Sequence, residues 1–403
     1  MFLIRGSSLK VHNILFGLFV LLLVASCSKN NVIDKSILNI DARLDKYLEL
    51  ELKDNKFPGI QYVVFNKDKI LYEYAGGYAK VKAKEKMKKD SVLNVFSTTK
   101  VITAIALLQL AEKGEISLSD KVVKYFPEVP YKNITIMQVL SHSSGINNAL
   151  LGNFYIHWKE EHEGYDRDAE LLSVLKENTD LNFTPGEEIG YSNMGYAILG
   201  KVIENVSGIK YEDYVIRNIF NPLKLNKEKI NFASQSQKNS ALPYFKRYSL
   251  AYNFMSLFLE GSYTEAEENW KSLNGPFYFN HPSHGGIIAS ASEYAKIFMS
   301  LMRSKKSKIL TKNSIKKMFT KQIHYDEQSI AISWFMRDMA GIPYFYHQGS
   351  GLGYVAEVRI YPQDNIGSII LMNRSEYDAL LMLNVLDSEF VSHSKKKLLI
   401  HSD

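Results

Sequence analysis

Ile33, Ile37, Ile40, Leu44, Tyr47 and Leu48 recur at spacings of three and four, which predicts an amphipathic helix with Pro58-Gly59 as its stop. Residues 60–65 and 70–74 then read as two β-rich runs joined by the polar stretch 66–69, a hairpin. The far end mirrors this pattern. Residues 329–336, 344–347, 354–361 and 366–372 are short strand-like runs separated by Gly, Pro and Asn, and an amphipathic helix follows over about 375–390. Between about 90 and 325 the pattern is mostly helix and loop, without an internal repeat or a low-complexity linker. Strands at both ends with helices between them predict an α+β fold. Its antiparallel sheet is built from N- and C-terminal segments and flanked by terminal helices, with a large, mostly helical insertion. The predicted domain runs over 33–392, with an α/β part at 33–85 and 326–392 and a helical part at 86–325. A tail follows at 393–403.

The first 26 residues break the pattern. Arg5 and Lys10 precede an uncharged apolar run of 12 residues from Ile14 to Ala25, too short to span a bilayer and suited to the core of a signal peptide. The run ends in Val24-Ala25-Ser26-Cys27, which resembles a bacterial lipobox, and Cys27 is the only cysteine of 403 residues. Cys27 is therefore the expected lipidation site, residues 27–32 a tether, and the cell envelope outside the cytoplasm the expected location. A single cysteine excludes an internal disulfide framework, a Cys-rich zinc site and an iron–sulfur cluster. The net charge of +6 is spread along the chain without a basic block, which argues against nucleic-acid binding.

One charge stands out. Lys100 is the only charged residue from Ser91 to Ala111, and the nearly unbroken apolar run after it, closed by Gly114, predicts a buried helix. A lysine on the first turn of such a helix needs a partner or a depressed pKa. Ser97, three residues earlier, is in reach of it, and a serine beside a lysine of lowered pKa is a candidate activated nucleophile. The Ser-x-x-Lys pattern alone decides nothing, since eight copies occur in the chain. Only the copy at Ser97 has the buried-helix context.

Two further motifs follow in order. Tyr191-Ser192-Asn193 precedes a helix with apolar positions Ile198, Leu199, Val202, Ile203 and Val206, and His347-Gln348-Gly349-Ser350 lies on a strand edge and turn. With Phe57-Pro58-Gly59, Leu140-Ser141-His142-Ser143-Ser144-Gly145 and His284-Gly285-Gly286, these motifs resemble the serine β-lactamase and penicillin-binding-protein-like hydrolases, of the class C type. The resemblance covers about residues 55–375. It implies a β-lactamase/transpeptidase-like fold in which Ser97 is acylated and Lys100 and Tyr191 share the proton transfers. Asn193, His347 and Gly349 would contact substrate, and the backbone N–H groups of Ser97 and Ser350 would form the oxyanion hole. Class C β-lactamases carry Lys-Thr-Gly where this chain has His347-Gln348-Gly349, replacing a fixed charge by a group expected to titrate near neutrality. That departure resembles DD-peptidases and D-aminopeptidases.

The expected function is thus a serine hydrolase acting through an acyl-enzyme on a small amide, ester or D-amino-acid peptide, a peptidoglycan-related DD-carboxypeptidase or D-peptidase first. An esterase, a β-lactamase and a non-catalytic penicillin-binding or sensor module on the same fold are the alternatives. No cofactor or metal is expected; His157 and His162, and His281 and His284, lack ligand spacing or acidic company. The expected partners are a small peptide, ester or β-lactam substrate and a membrane reached through the lipid anchor, with the protein a monomer. Residues 243–279 hold 11 aromatics, read as core packing of a long connection or as a wall of the cleft.

Overall fold

The computed structural model describes residues 31–148, 156–158, 164–232, 239–249, 252, 264–267, 269–273, 277–375 and 377–391. Cys27, the apolar run before it and the tail at 393–403 lie outside the described residues. Nine strands form one antiparallel sheet: β1 (Gly59–Phe65), β2 (Ile70–Lys80), β3 (Glu85–Lys86), β4 (Ile323–Tyr325), β5 (Gln328–Ile330), β6 (Phe335–Met339), β7 (Ile342–Gly351), β8 (Tyr354–Tyr361) and β9 (Ile366–Met372). Their order is β4-β5-β6-β7-β8-β9-β1-β2-β3. The helices are α1 (Ile40–Lys53), α2 (Thr99–Glu112), α3 (Ile136–Leu140), α4 (Arg167–Glu177), α5 (Asn193–Ser207), α6 (Tyr211–Val215), α7 (Ala291–Met302), α8 (Lys312–Met318) and α9 (Ala379–Asp387).

The pairing of β1 with β9, Ile60 opposite Met372 through Phe65 opposite Gly367, joins the two ends of the chain. Every residue of β1 is buried because both faces of the sheet are covered. Val63 and Phe65 point into the main core, which also contains α2, α5 and α7; Ile60, Tyr62 and Val64 point into a second core under α1 and α9. The expected α+β fold is present, with some boundaries shifted for local reasons. Helix α1 starts at Ile40, where the Asn39 side chain accepts the Ala42 N–H at 3.0 Å. Ahead of it, Asp34 accepts the Ser36 N–H and holds a turn, so Ile33 and Ile37 precede the helix. The expected strand at 329–336 is two strands, broken where Ser333 takes φ +61°. The C-terminal helix is shorter than expected and is capped by Asp378, whose side chain accepts the Leu380 N–H at 2.8 Å.

The insertion is less purely helical than its pattern indicates. Leu93–Asn94 pairs with Ile288–Ala289, and Ile288–Ala289 with Ile230–Asn231. Tyr244–Lys246, Trp270–Leu273 and Thr264–Glu267 form another three-stranded sheet, and Phe277–Phe279 pairs with Ile156–Trp158. Strands of two to four residues are too short for alternation to register. The aromatic-rich segment owes its composition partly to these strands, where Tyr244, Trp270 and Phe277 are buried.

A buried polar cluster fixes α9 to the sheet. Asp387 accepts from Tyr62 Oη at 2.6 Å, Tyr361 Oη at 2.7 Å and Ser368 Oγ at 2.9 Å. Arg359, fully buried, donates to Glu357 at 2.6 Å and to Asn384 Oδ1 at 2.7 Å. Burial raises the pKa of both carboxyls, and the Arg359 guanidinium opposes that rise. Removing Asp387 takes the acceptor from the buried Tyr62 and Ser368 hydroxyls and one carboxylate from beside Arg359. Asp387→Ala should lower unfolding stability by about 3–5 kcal/mol in urea titrations while leaving activity per folded molecule unchanged.

Candidate active site

Lys100 sits on the first turn of α2, and every residue of that helix from Thr99 to Leu110 is buried. The Lys100 Nζ lies 3.0 Å from Ser97 Oγ, 2.7 Å from Asn193 Oδ1 and 2.7 Å from the His284 carbonyl. All three are neutral groups, and among the described residues no carboxylate pairs with Lys100. Burial therefore drives its pKa well below the usual 10.5. The same three contacts accommodate the amine in either protonation state. An unprotonated amine has two N–H groups, which the Asn193 and His284 oxygens can only accept, and one lone pair, which is left for the Ser97 hydroxyl proton.

Ser97 is half-exposed on a single 3₁₀ turn, Phe96–Thr98, that runs into α2. The turn is strained: Phe96 has φ +45°, and its N–H is held by Asn94 Oδ1 at 2.6 Å. The Phe96 ring packs on Phe279 and Tyr354, at centroid separations of 5.4 and 6.2 Å. Strand β7 passes so close that a Cβ on Gly349 would lie 2.2 Å from the Val95 carbonyl and 2.9 Å from the Ser97 nitrogen. Gly349 thus lets the strand main chain run against the nucleophile turn. Ser350 follows on the exposed side of that strand.

Tyr191 and Asn193 arrive from the start of α5. Ser192 caps the helix by accepting the Gly195 N–H at 2.9 Å, so its neighbours point into the site. Asn148 braces them, donating to the Tyr191 carbonyl at 3.0 Å and accepting the Asn193 N–H at 2.7 Å. Tyr191 is 36% exposed, with its ring centroid 4.9 Å from Lys100 Nζ. The structure therefore brings Ser97, Lys100, Tyr191 and Asn193 together, with Gly349 against them. A partly exposed hydroxyl beside a buried amine of lowered pKa, with a tyrosine alongside, is equipped for nucleophilic attack with local proton transfer.

His347 differs from its expected character. It is 1% exposed, and its Nδ1 lies 2.9 Å from the Gln348 carbonyl. Burial, and next the charge that Lys100 carries when protonated, push its pKa down to about 3. It is therefore a neutral imidazole whose Nδ1–H is taken by the carbonyl, leaving Nε2 as an acceptor. The lysine of the class C motif is replaced here by no charge at all at neutral pH, and a salt bridge from His347 to a substrate carboxylate is not available.

These features agree with the sequence comparison, in which residues 40–386 match the description "Beta-lactamase". The chain belongs to the Beta-lactamase family. The family is one of serine hydrolases, with penicillin-binding proteins among the relatives. Penicillin-binding protein 4* of Bacillus subtilis (strain 168) is 33% identical over 161 residues, 40% of this chain and 35% of that protein. This chain therefore spans about a third of that relative. An octameric penicillin-binding protein homologue from Pyrococcus abyssi superposes with a TM-score of 0.67 at 24% identity, covering 90% of this chain and 82% of the other. A class C β-lactamase superposes with a TM-score of 0.70 at 16% identity, covering 88% and 97%. Both share the fold.

Two contributors lie outside the sequence motifs, and a third lies inside one but acts through its main chain. Asn94 and Asn148 bond to main chain from loops, where an asparagine looks like any turn residue. The His284 contribution to Lys100 is a carbonyl, made possible because Gly285 and Gly286 leave room for Phe279 and Pro282; the glycine pair was its only visible trace. Among the described residues no group of three or more His, Cys, Asp and Glu could hold a metal ion. The state of His347 is directly measurable: its ring signals in ¹H–¹⁵N spectra, assigned with His347→Gln, should stay fixed from about pH 5 to 8. A transition near pH 6.5 would show a chargeable, solvated ring.

Proposed function

We propose that this protein is a serine hydrolase that forms a covalent acyl-enzyme on Ser97, with a small D-amino-acid peptide as substrate in the manner of a DD-carboxypeptidase or D-peptidase. The observation that carries the proposal is the buried Lys100 amine held by Ser97, Asn193 and a carbonyl, with no counter-ion among the described residues. Ser97 Oγ attacks the scissile carbonyl while its proton passes to Lys100, with Tyr191 alongside. The developing oxyanion is taken by the backbone N–H groups of Ser97 and Ser350, a contribution worth about 10²–10³ in rate per donor. The tetrahedral intermediate collapses as the proton is delivered through Tyr191 to the leaving amine. Water then attacks the acyl-enzyme, with the same groups taking its proton, and frees Ser97. Asn193 is placed to donate its amide N–H to a substrate carbonyl while its Oδ1 stays on Lys100.

The peptidase reading draws support from the penicillin-binding relative and from the third motif, where His347-Gln348-Gly349 resembles DD-peptidases and class C β-lactamases carry Lys-Thr-Gly. The lipobox-like sequence ending at Cys27 supports a lipid-anchored envelope protein, placing the site near peptidoglycan.

The protein and a Ser97→Ala variant should be incubated with a penicillin, a p-nitrophenyl ester and a D-Ala-D-Ala peptide, following intact mass and product. The expected outcome is a persistent penicilloyl adduct and D-Ala release, both lost in the variant. The acylation rate should rise with pH through the lowered pKa of Lys100, because only the unprotonated amine can take the serine proton. Rapid penicillin turnover would instead indicate a β-lactamase, and turnover of the ester alone an esterase. No adduct and no Ser97-dependent product with any probe would refute the hydrolase reading.

A further inference from the structure

One residue outside the three motifs holds Tyr191 from three directions. The Gly190 N–H donates to the His142 carbonyl at 2.8 Å, and the Ser192 N–H donates to His142 Nδ1 at 3.3 Å. Between them the Tyr191 ring lies against the imidazole, with centroids 4.5 Å apart and planes 34° from parallel. His142 is itself fixed. It is 1% exposed, and its ring packs against Tyr196 at 5.1 Å and Phe335 at 6.0 Å. Its φ is +54°, a conformation that costs a non-glycine residue about 1–3 kcal/mol and persists where the surroundings impose it. The strain is localised at a residue whose carbonyl and ring both serve the same neighbouring segment.

The contacts also fix the proton. Because Nδ1 accepts from a main-chain N–H it is bare, so the neutral ring carries its proton on Nε2. Burial, followed by the charge that Lys100 carries when protonated, opposes a second proton, which would sit on Nδ1 and break the bond to Ser192.

We propose that His142 is a positioning residue for acyl transfer, fixing the Tyr191 phenol beside Lys100 by holding the main-chain N–H groups of the residues on either side of Tyr191 and stacking on its ring. A helix-start anchor would need only one of these contacts. Three that converge on the residues flanking and including the proton-transfer tyrosine specify the position of its side chain. The inference rests on the hydrolase reading above for its kinetic consequence, and on geometry alone for its structural one.

The test uses the full-length protein with His142→Ala, His142→Phe and His142→Asn. Asparagine tolerates left-handed backbone, and its Oδ1 can stand where Nδ1 accepts; phenylalanine keeps the stack and loses the acceptor. His142→Ala should lower kcat about 100-fold with KM within about three-fold, the penalty of a misplaced group of about 1 Å. His142→Asn should recover to within about ten-fold of the parent, with His142→Phe between the two. A second arm needs no substrate: in crystal structures of the parent and His142→Ala, the Tyr191 ring should move by more than about 1 Å while Ser97 and Lys100 stay in place. The proposal is overturned if Tyr191 does not move, or if folded Ala and Phe variants keep kcat within about two-fold. A parent without Ser97-dependent turnover would fail the hydrolase reading, and the crystallographic arm would still decide the role of His142.

Discussion

An amine buried without a counter-ion among the described residues constrains the rest of this structure. Lys100 cannot be solvated where it sits, and a buried ammonium is costly unless its charge is neutralised or its proton released. The surroundings supply only neutral oxygens, two of which demand N–H donors and one of which can offer a proton in return. That choice of partners is what turns a buried lysine into a base directed at Ser97. It also has a thermodynamic sign. The folded pKa lies below the unfolded value near 10.5, so between those two values the unfolded chain holds a proton that the folded chain lacks. Stability from this group is lowest at acid pH and rises through that window.

The architecture serves to bring three distant chain segments to that amine. Helix α2 is buried almost all round, which puts its N-terminus deep in the molecule. Helix α5 is capped by Ser192, so the residues on either side of the cap can face Lys100. Strand β7 reaches the same place because Gly349 has no Cβ to collide with Val95 and Ser97. The sheet that carries β7 is tied to the opposite end of the chain through the β1–β9 pairing and the buried cluster around Arg359 and Asp387. These supports stabilise the sheet far from the chemistry.

Much of this was legible in the residues before any coordinates. The lone charge in an apolar run marked Lys100, and the alternating strands at both ends marked a sheet closed by distant segments. What was not legible depended on through-space contacts. The neutral state of His347 follows from complete burial beside Lys100, and a His-x-Gly motif read alone suggests a titrating group. Asn94 and Asn148 act through main-chain bonds whose partners only the fold brings near. The short strands of the insertion, two to four residues each, carry no periodicity to read. His142 stood inside a recognisable segment, but its hold on Tyr191 spans some fifty positions of sequence and is set by tertiary packing.

The central claim is that burial holds the Lys100 amine well below its ordinary pKa. It is tested most directly by following the Lys100 ¹³Cε signal against pH in protein labelled at lysine, with Lys100→Met identifying the resonance. The account predicts a transition well below 10.5. A Lys100 signal that titrates near 10.5 would contradict it.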